Sequence, residues 1–246
     1  MRREPTGEEF AIVFKVGYGD GLKLLSREAR RYAGPLVQLQ GQAVPRMYGS
    51  FVGHTDEGKT RVSVFEDCGK QLRAPLMMQP LKFRQAVVNS LVQIHRSADL
   101  MHGNFTERHV VVKKVGEDYF PVIVDFTYAR RHLYGPEECT GVSLPLPETY
   151  TPAPDRSESE TCDELFEVMM NDAQLWYPAH VEYFGRQVPA EAARDLRELV
   201  KYAPEDRPEW EAQYVACHVH EELERWIHDR ARWDRGPVCL QDDDNF

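Results

Sequence analysis

The hydrophobic pattern changes after residues 66–69: the first 66 residues read as strand, helix and hairpin, and the chain beyond them takes on a mainly helical character. Before the change, residues 10–16 (FAIVFKV) form a short apolar run rich in β-branched side chains, which predicts a strand. Residues 17–21, with three glycines and Asp20, break it into a turn. In residues 22–39, Leu24, Leu25, Tyr32, Leu36 and Leu39 return at helical spacing, with a kink or interruption at Gly34-Pro35. Residues 44–52 and 60–65 flank a turn at 54–59 and predict a hairpin. After the change, Phe83, Val87, Val88, Leu91, Val92 and Ile94 recur about every 3.6 residues, the face of a buried helix. Two short strands, 110–113 and 121–124, follow, and the Pro-rich stretch 135–154 has no period and reads as a loop. Helices are predicted at 162–171, 190–202 and 208–233, ahead of an acidic tail. The fold class is α+β.

With 246 residues, 42% hydrophobic and 28% charged, the chain has enough apolar surface for a substantial core and is not a disordered composition. A net charge of -10 and a pI near 5.4 repel polyanions, so no nucleic-acid partner is expected. The basic runs at 27–31 and 130–132 are short and read as local structure or solvated faces. Cys68, Cys139, Cys162, Cys217 and Cys239 are odd in number and contain no C-x-x-C pair, which predicts neither a disulfide framework nor a zinc site. Reduced thiols, with an intracellular (cytoplasmic or nuclear) location, are the expectation. The first ten residues are charged, and no window nears the roughly 18 apolar residues a membrane span requires, so neither secretion nor a membrane is expected.

The stretch that carries chemistry is 101–125: His102-Gly103-Asn104, then Arg108-His109, then the strand pair, then Asp125-Phe126-Thr127 closing the run VIVDFT. This order resembles the catalytic and magnesium loops of the protein-kinase-like superfamily. Within it, the chain is most similar to compact fungal kinase-like (aminoglycoside-phosphotransferase/lipopolysaccharide-kinase-like) domain proteins, whose catalytic loop reads H-G-D-x-x-x-R-N. The resemblance extends along nearly the whole chain. It implies a bilobal kinase-like domain over 1–246, with a reduced N-terminal β lobe (1–66), a hinge (67–70), a mainly helical C-terminal lobe (71–236) and an acidic tail (237–246). It also implies ATP and Mg²⁺ as cofactors. Lys15 in FAIVFKVG matches the strand lysine and Glu28 in SREARRY the helix glutamate, a pair that clamps the α/β-phosphates. Glu66, Asp67 and Cys68 in FEDCGKQL fall at the hinge, beside the nucleotide. Asp125 stands at the magnesium position, Asn104 at that of the catalytic base and His109 at that of the second metal ligand. Pro147-Glu148 resembles the close of an activation segment, Asp163 the buried helix aspartate, and Arg207 the arginine that pairs with Glu148.

The departures carry equal weight. An amide at Asn104 can hold a hydroxyl by a hydrogen bond but cannot take its proton. The imidazole of His109 is a poorer ligand than oxygen for a hard ion such as Mg²⁺, which leaves Asp125 as the well-matched ligand. About fourteen residues precede Lys15, fewer than the strands and glycine-rich turn that cover the phosphates in the family require; a locally rebuilt fold or a truncated product is the expectation.

Each residue also has a plainer reading. Lys15 and Glu28 are a surface lysine and a solvated helix acid, or a structural ion pair; Asp125 is a turn-forming Asx residue; Asn104 is a turn residue; Arg108 is a structural arginine and His102 a packing residue. His218 and His220, two apart on a helix, point to different sides and do not form a metal pair. Trp176, Trp210, Trp226 and Trp233 are expected in the core or filling grooves. Two functions follow: a pseudokinase acting as a regulatory or binding module with a protein partner, or an active or slow ATP-dependent phosphotransferase acting on protein Ser/Thr or a small molecule. An unrelated fold with coincident motifs is the third reading.

Overall fold

The structure, a computed structural model, describes residues 11–132, 139, 150–154, 156 and 161–240. They fall into two compact units: one built from segments of 1–73, 89–141 and 240–246, the other from 74–88 and 142–239. No helix among the described residues is long and apolar enough to cross a membrane.

In the first unit, β1 (Ile12–Tyr18) pairs antiparallel with β3 (Gly58–Glu66), which pairs antiparallel with β2 (Met47–Thr55), giving the order β1-β3-β2. The predicted hairpin is therefore present, with its loop shortened to Asp56-Glu57 and Gly58 at φ 89° accepting the tight return. The predicted turn at 17–21 shrinks further. β1 runs through Tyr18, and helix α1 (Asp20–Tyr32) begins two residues later. Gly17 permits that closeness: a Cβ there would lie 2.8 Å from the Gly21 carbonyl oxygen and 2.9 Å from Leu25 Cδ1. Leu25, Glu28, Ala29 and Tyr32 form the buried stripe of α1, the i, i+3, i+4, i+7 pattern of one helix face, and α1 lies against β1 and β3. The helix stops at Tyr32, not Leu39. Gly34-Pro35 follows, and only a 3₁₀ turn, Val37–Leu39, continues the predicted run.

The remainder of this unit begins with β4 (Lys70–Gln71) and the second half of α2 (Leu81–Ala98), a helix the period had predicted over almost its whole length. Then come β5 (Leu100–Met101), β6 (Val110–Val115), β7 (Asp118–Ile123) and β8 (Arg130–Arg131). β6 and β7 form a hairpin with β4 on the outer side of β6, and β5 pairs with β8. Tyr32 sits where these pieces meet, edge-on to Phe65 at 5.0 Å and to Phe126 at 5.9 Å. The basic runs are used locally: Arg31 donates to the carbonyls of Thr127 and Ala129, and Arg131 pairs with Asp99 at 2.7 Å.

The second unit holds the first half of α2, α3 (Asp163–Glu167), β9 (His180–Tyr183), β10 (Arg186–Pro189), α4 (Leu196–Val200) and α5 (Glu209–Trp233). The predicted helix 162–171 is α3 continued by a π-helical turn, Val168–Asp172. The predicted helix 190–202 is mostly 3₁₀ and turn; α4 restarts where the Asp195 carboxylate accepts the Arg197 N–H. The β9–β10 hairpin is absent from the sequence reading, because its two-residue turn is Phe184-Gly185, at φ 49° and 71°, and phenylalanine is not a turn signal. Tyr150, Tyr177, Tyr183, Val188, Leu199, Ala216 and Leu223 form the core. Two expectations fail here. Trp210 is 70% exposed, on the solvent side of α5, and Asp163 is exposed in the first turn of α3, paired with Arg156. The Pro147-Glu148 expectation lies outside the described residues. Arg207 pairs with Glu211 and stacks on Phe184.

A buried cation organises this unit. The Arg84 guanidinium, fully buried, donates to the carbonyls of Gln79 (2.9 Å), Ala173 (2.5 Å) and Gln174 (2.9 Å), to Tyr150 Oη (2.5 Å) and to Asp234 (2.5 Å). Burial pushes the Tyr150 hydroxyl up to about 12, so it remains protonated and donates to Asp234 at 2.8 Å. Arg84→Met strips the donors from all five acceptors and is expected to cost about 3–5 kcal/mol in urea unfolding. Arg84→Lys should recover little of it, because an ammonium cannot reproduce the planar fork. A loss below about 0.5 kcal/mol for Arg84→Met contradicts this role.

Candidate functional site

The site lies within the first unit and is built on a buried carboxylate. Glu28, 1% exposed on the inner face of α1, accepts from Lys15 Nζ at 2.8 Å through Oε1. The same oxygen accepts the backbone N–H of Phe126 at 3.0 Å. A strand residue and a turn residue far apart in sequence are thereby held to one atom. Lys15 also reaches Asp125 Oδ1 at 3.3 Å, so the ammonium sits between two carboxylates. Glu28 Oε2 is buried without a hydrogen-bond partner among the described residues, an acceptor the protein leaves unused.

Asp125 follows β7 in the left-handed region, at φ 66° and ψ 71°, a conformation that aspartate tolerates better than most residues. Its Oδ1 accepts from Thr127 N at 3.3 Å and from Thr127 Oγ1 at 2.5 Å, capping the 3₁₀ turn Phe126–Tyr128. The Asx turn and the outward-facing acid are therefore the same residue. Burial alone would raise its pKa, but the Thr127 hydroxyl and the Lys15 ammonium outweigh that and hold Asp125 below the usual carboxylate range. His109 Nε2 stands 3.9 Å from Asp125 Oδ2, and its ring stacks on that of His102 at 5.1 Å. His102, fully buried, contacts the Val124 carbonyl through Nε2 at 3.0 Å and supports the strand end that leads to Asp125.

A cavity of about 150 Å³ adjoins Lys15, Glu28 and Asp125. Its remaining wall includes Val13, Tyr32, Pro45, Phe65, Val111 and Val124, with Glu66, Asp67, Cys68 and Gly69 along one edge. The wall is mostly apolar, with the charged groups of Lys15, Glu28 and Asp125 at one end. Glu66 is taken up by Lys113 at 2.5 Å and by the Arg46 N–H at 3.3 Å; burial opposes these contacts, yet its pKa still falls below the ordinary value. The Asp67 carboxylate accepts the Gly69 N–H at 2.9 Å, closing the turn. Burial pushes the Cys68 thiol up to about 12, which makes it a packing group and not a nucleophile.

Of the residues singled out in the sequence, the structure brings Lys15, Glu28, Asp125 and His109 together and sets Glu66, Asp67 and Cys68 on the adjoining cavity. Asn104 lies exposed on the turn after Gly103 and is not part of the cavity wall. Gly103 is required there, at φ 78°, where a Cβ would meet the Tyr128 carbonyl oxygen at 2.6 Å. The Arg108 side chain is exposed, and its carbonyl, not its guanidinium, receives the Gln71 amide at 3.0 Å. His220 contacts the Ala193 carbonyl at 2.7 Å while His218 lies against the Tyr214 ring at 4.6 Å, so the two are engaged separately. Sequence reasoning missed Thr127, which orients Asp125, and Lys113, which neutralises Glu66. The first was legible as an Asx-turn partner two residues on; the second becomes visible only once β6 lies beside the 66–69 turn.

No protein-family model matches the chain, and no curated protein matches it. A search of solved structures returns a structure of vaccinia related kinase 3, at 15% identity and a TM-score of 0.45, covering 94% of this chain and 85% of that one.

The depressed pKa of Asp125 fixes the sign of a pH effect. A group whose folded pKa lies below its unfolded value near 3.9 contributes its full stability above that value and loses it as pH falls through the folded pKa. Urea midpoints measured between about pH 6 and 2 should therefore fall less steeply in Asp125→Asn than in the wild type. Parallel acid limbs in the two proteins contradict the assignment.

Proposed function

We propose that this chain is a kinase-fold pseudoenzyme, a nucleotide-binding regulatory module that has kept the phosphate-facing side of its site and lost the proton acceptor. One observation carries the reading: Lys15 is held between buried Glu28 and ionised Asp125, while the base position is filled by the exposed amide Asn104. The motif order and the cavity beside Lys15 support it. In this reading the cavity takes the heterocycle of ATP, Lys15 turns from Asp125 to the nucleotide phosphates, and Glu28 keeps the lysine aimed. Asp125, released from Lys15, holds Mg²⁺; bound there, the ion neutralises phosphate charge. His109 stands where a second oxygen ligand belongs, and its imidazole suits Mg²⁺ poorly, so a single metal position fits the residues present. Asn104 donates and accepts hydrogen bonds but removes no proton. A regulatory role implies a protein partner that recognises the nucleotide-bound form.

A slow phosphotransferase is the second reading, favoured by the ionised state of Asp125. Phosphoryl transfer proceeds through a loose transition state that needs positioning and charge stabilisation more than a base. The acceptor, protein Ser/Thr or a small-molecule hydroxyl, would then be oriented by Asn104.

Thermal unfolding with Mg²⁺-ATP, combined with an ATP-turnover assay, separates these. A ligand bound only by the folded protein at a hundredfold excess over Kd adds about 2.7 kcal/mol. The proposal predicts a magnesium-dependent rise in the unfolding midpoint, lost in Lys15→Ala and Asp125→Ala, without turnover above background. Absence of a shift at millimolar nucleotide overturns nucleotide binding. Turnover that depends on Lys15 overturns the pseudoenzyme and establishes the second reading, and turnover gained in Asn104→Asp shows that the base alone was missing.

A further inference from the structure

Away from this site, the structure gathers His95, His132 and Cys139 inside the first unit. Their potential ligand atoms all lie within 4.8 Å of one another. Cys139 Sγ is 3.0 Å from His132 Nε2 and 3.6 Å from His95 Nδ1, and the two imidazole rings stand 5.2 Å apart at 67°. All three side chains are buried: His95 and Cys139 completely, His132 to 5% exposure. His95 projects from the last turns of α2. The β5–β8 pairing then brings the chain back beside the end of that helix, and the His132 N–H donates to the Asp99 carbonyl at 3.0 Å. The cluster is thus a product of topology, from residues with no metal-motif spacing.

We propose that these three side chains form a structural zinc site. With Zn–N near 2.0–2.1 Å and Zn–S near 2.3 Å, tetrahedral ligands lie about 3.3–3.6 Å apart; Cys139 Sγ already stands 3.6 Å from His95 Nδ1, and its 3.0 Å contact with His132 Nε2 opens by a few tenths of an ångström to admit the ion. Mixed imidazole and thiolate donors suit Zn²⁺ and are poor ligands for Mg²⁺ or Ca²⁺. Binding takes Cys139 as the thiolate, with its proton released to solvent, and both histidines as neutral imidazoles. The ion would tie the end of α2 to the strand β8, which follows the Asp125–Tyr128 turn. Zinc therefore fixes the chain leaving the candidate site without entering it. The tetrahedral ion has one more position, filled by water or by a further thiolate of the chain.

Metal analysis of the full chain, purified without chelator and dialysed against metal-free buffer, is the first test. It should find about one zinc per chain, and Co²⁺ replacement should give the intense visible bands of tetrahedral cobalt and a thiolate charge-transfer band. Because Cys139→Ser or His132→Ala could fail to fold, the decisive measurement uses the wild type. Iodoacetamide labelling mapped by mass spectrometry should leave Cys139 protected with zinc and labelled after chelation, while exposed Cys217 is labelled in both states. Protection of a second cysteine together with Cys139 assigns the remaining position to a thiolate, and protection of Cys139 alone assigns it to water; both support the site. A chain that takes up no zinc or cobalt, or Cys139 labelling indifferent to chelator, overturns it. So does a folded Cys139→Ser variant that retains one zinc.

Discussion

The candidate site depends on one carboxylate oxygen. Glu28 Oε1 receives both the Lys15 ammonium and the Phe126 N–H, and it does so from the buried face of a helix where water cannot substitute. A buried carboxylate is costly unless it is paired and hydrogen-bonded, so the fold must supply both donors together. Supplying them fixes three elements at once. β1 must present Lys15 inward, α1 must turn the stripe of Leu25, Glu28, Ala29 and Tyr32 onto it, and the backbone after β7 must enter a left-handed turn at Asp125. Tyr32, between Phe65 and Phe126, packs the apolar side of that junction.

The electrostatics at the junction are those of a site kept ionised. Lys15 lies between two acids, and Asp125 is held ionised by Thr127 and Lys15 against its own burial. Under the proposed function, phosphate and a cation would take over the contacts that Lys15 and Asp125 now make with each other, so neither charge would be left bare. Proton abstraction is a different requirement, and Asn104 does not meet it. The pseudoenzyme proposal separates binding from chemistry on this ground: the charges that would hold a phosphate are present, and the proton acceptor is not.

Much of this was legible in the sequence, because local pattern and local need agreed. The periodic stripes gave α2 and α5, the β-branched runs gave β1 and the β2–β3 hairpin, and the plainer readings of a Lys15–Glu28 ion pair and an Asx turn at Asp125 are both present. What failed did so for nameable reasons. The β9–β10 turn uses Phe184 at positive φ, which no turn propensity anticipates. Apolar spacing over 190–202 suggested one helix where Asp195 caps a new start. Asp163 was read as buried by motif alone, and its side chain is exposed beside Arg156. Arg84 and the His95–His132–Cys139 cluster were invisible because their partners come from distant segments, and no spacing rule reports a contact that only the tertiary fold creates.

Glu28 and Lys15 act as one unit. A double-mutant cycle in urea unfolding, with Lys15→Met, Glu28→Gln and the pair together, measures that coupling without reference to any ligand. The double variant should be more stable than the two single losses added together would allow, with an interaction of about 1–3 kcal/mol, because either single change leaves the other group poorly compensated. Additive losses, within about 0.3 kcal/mol, would contradict it.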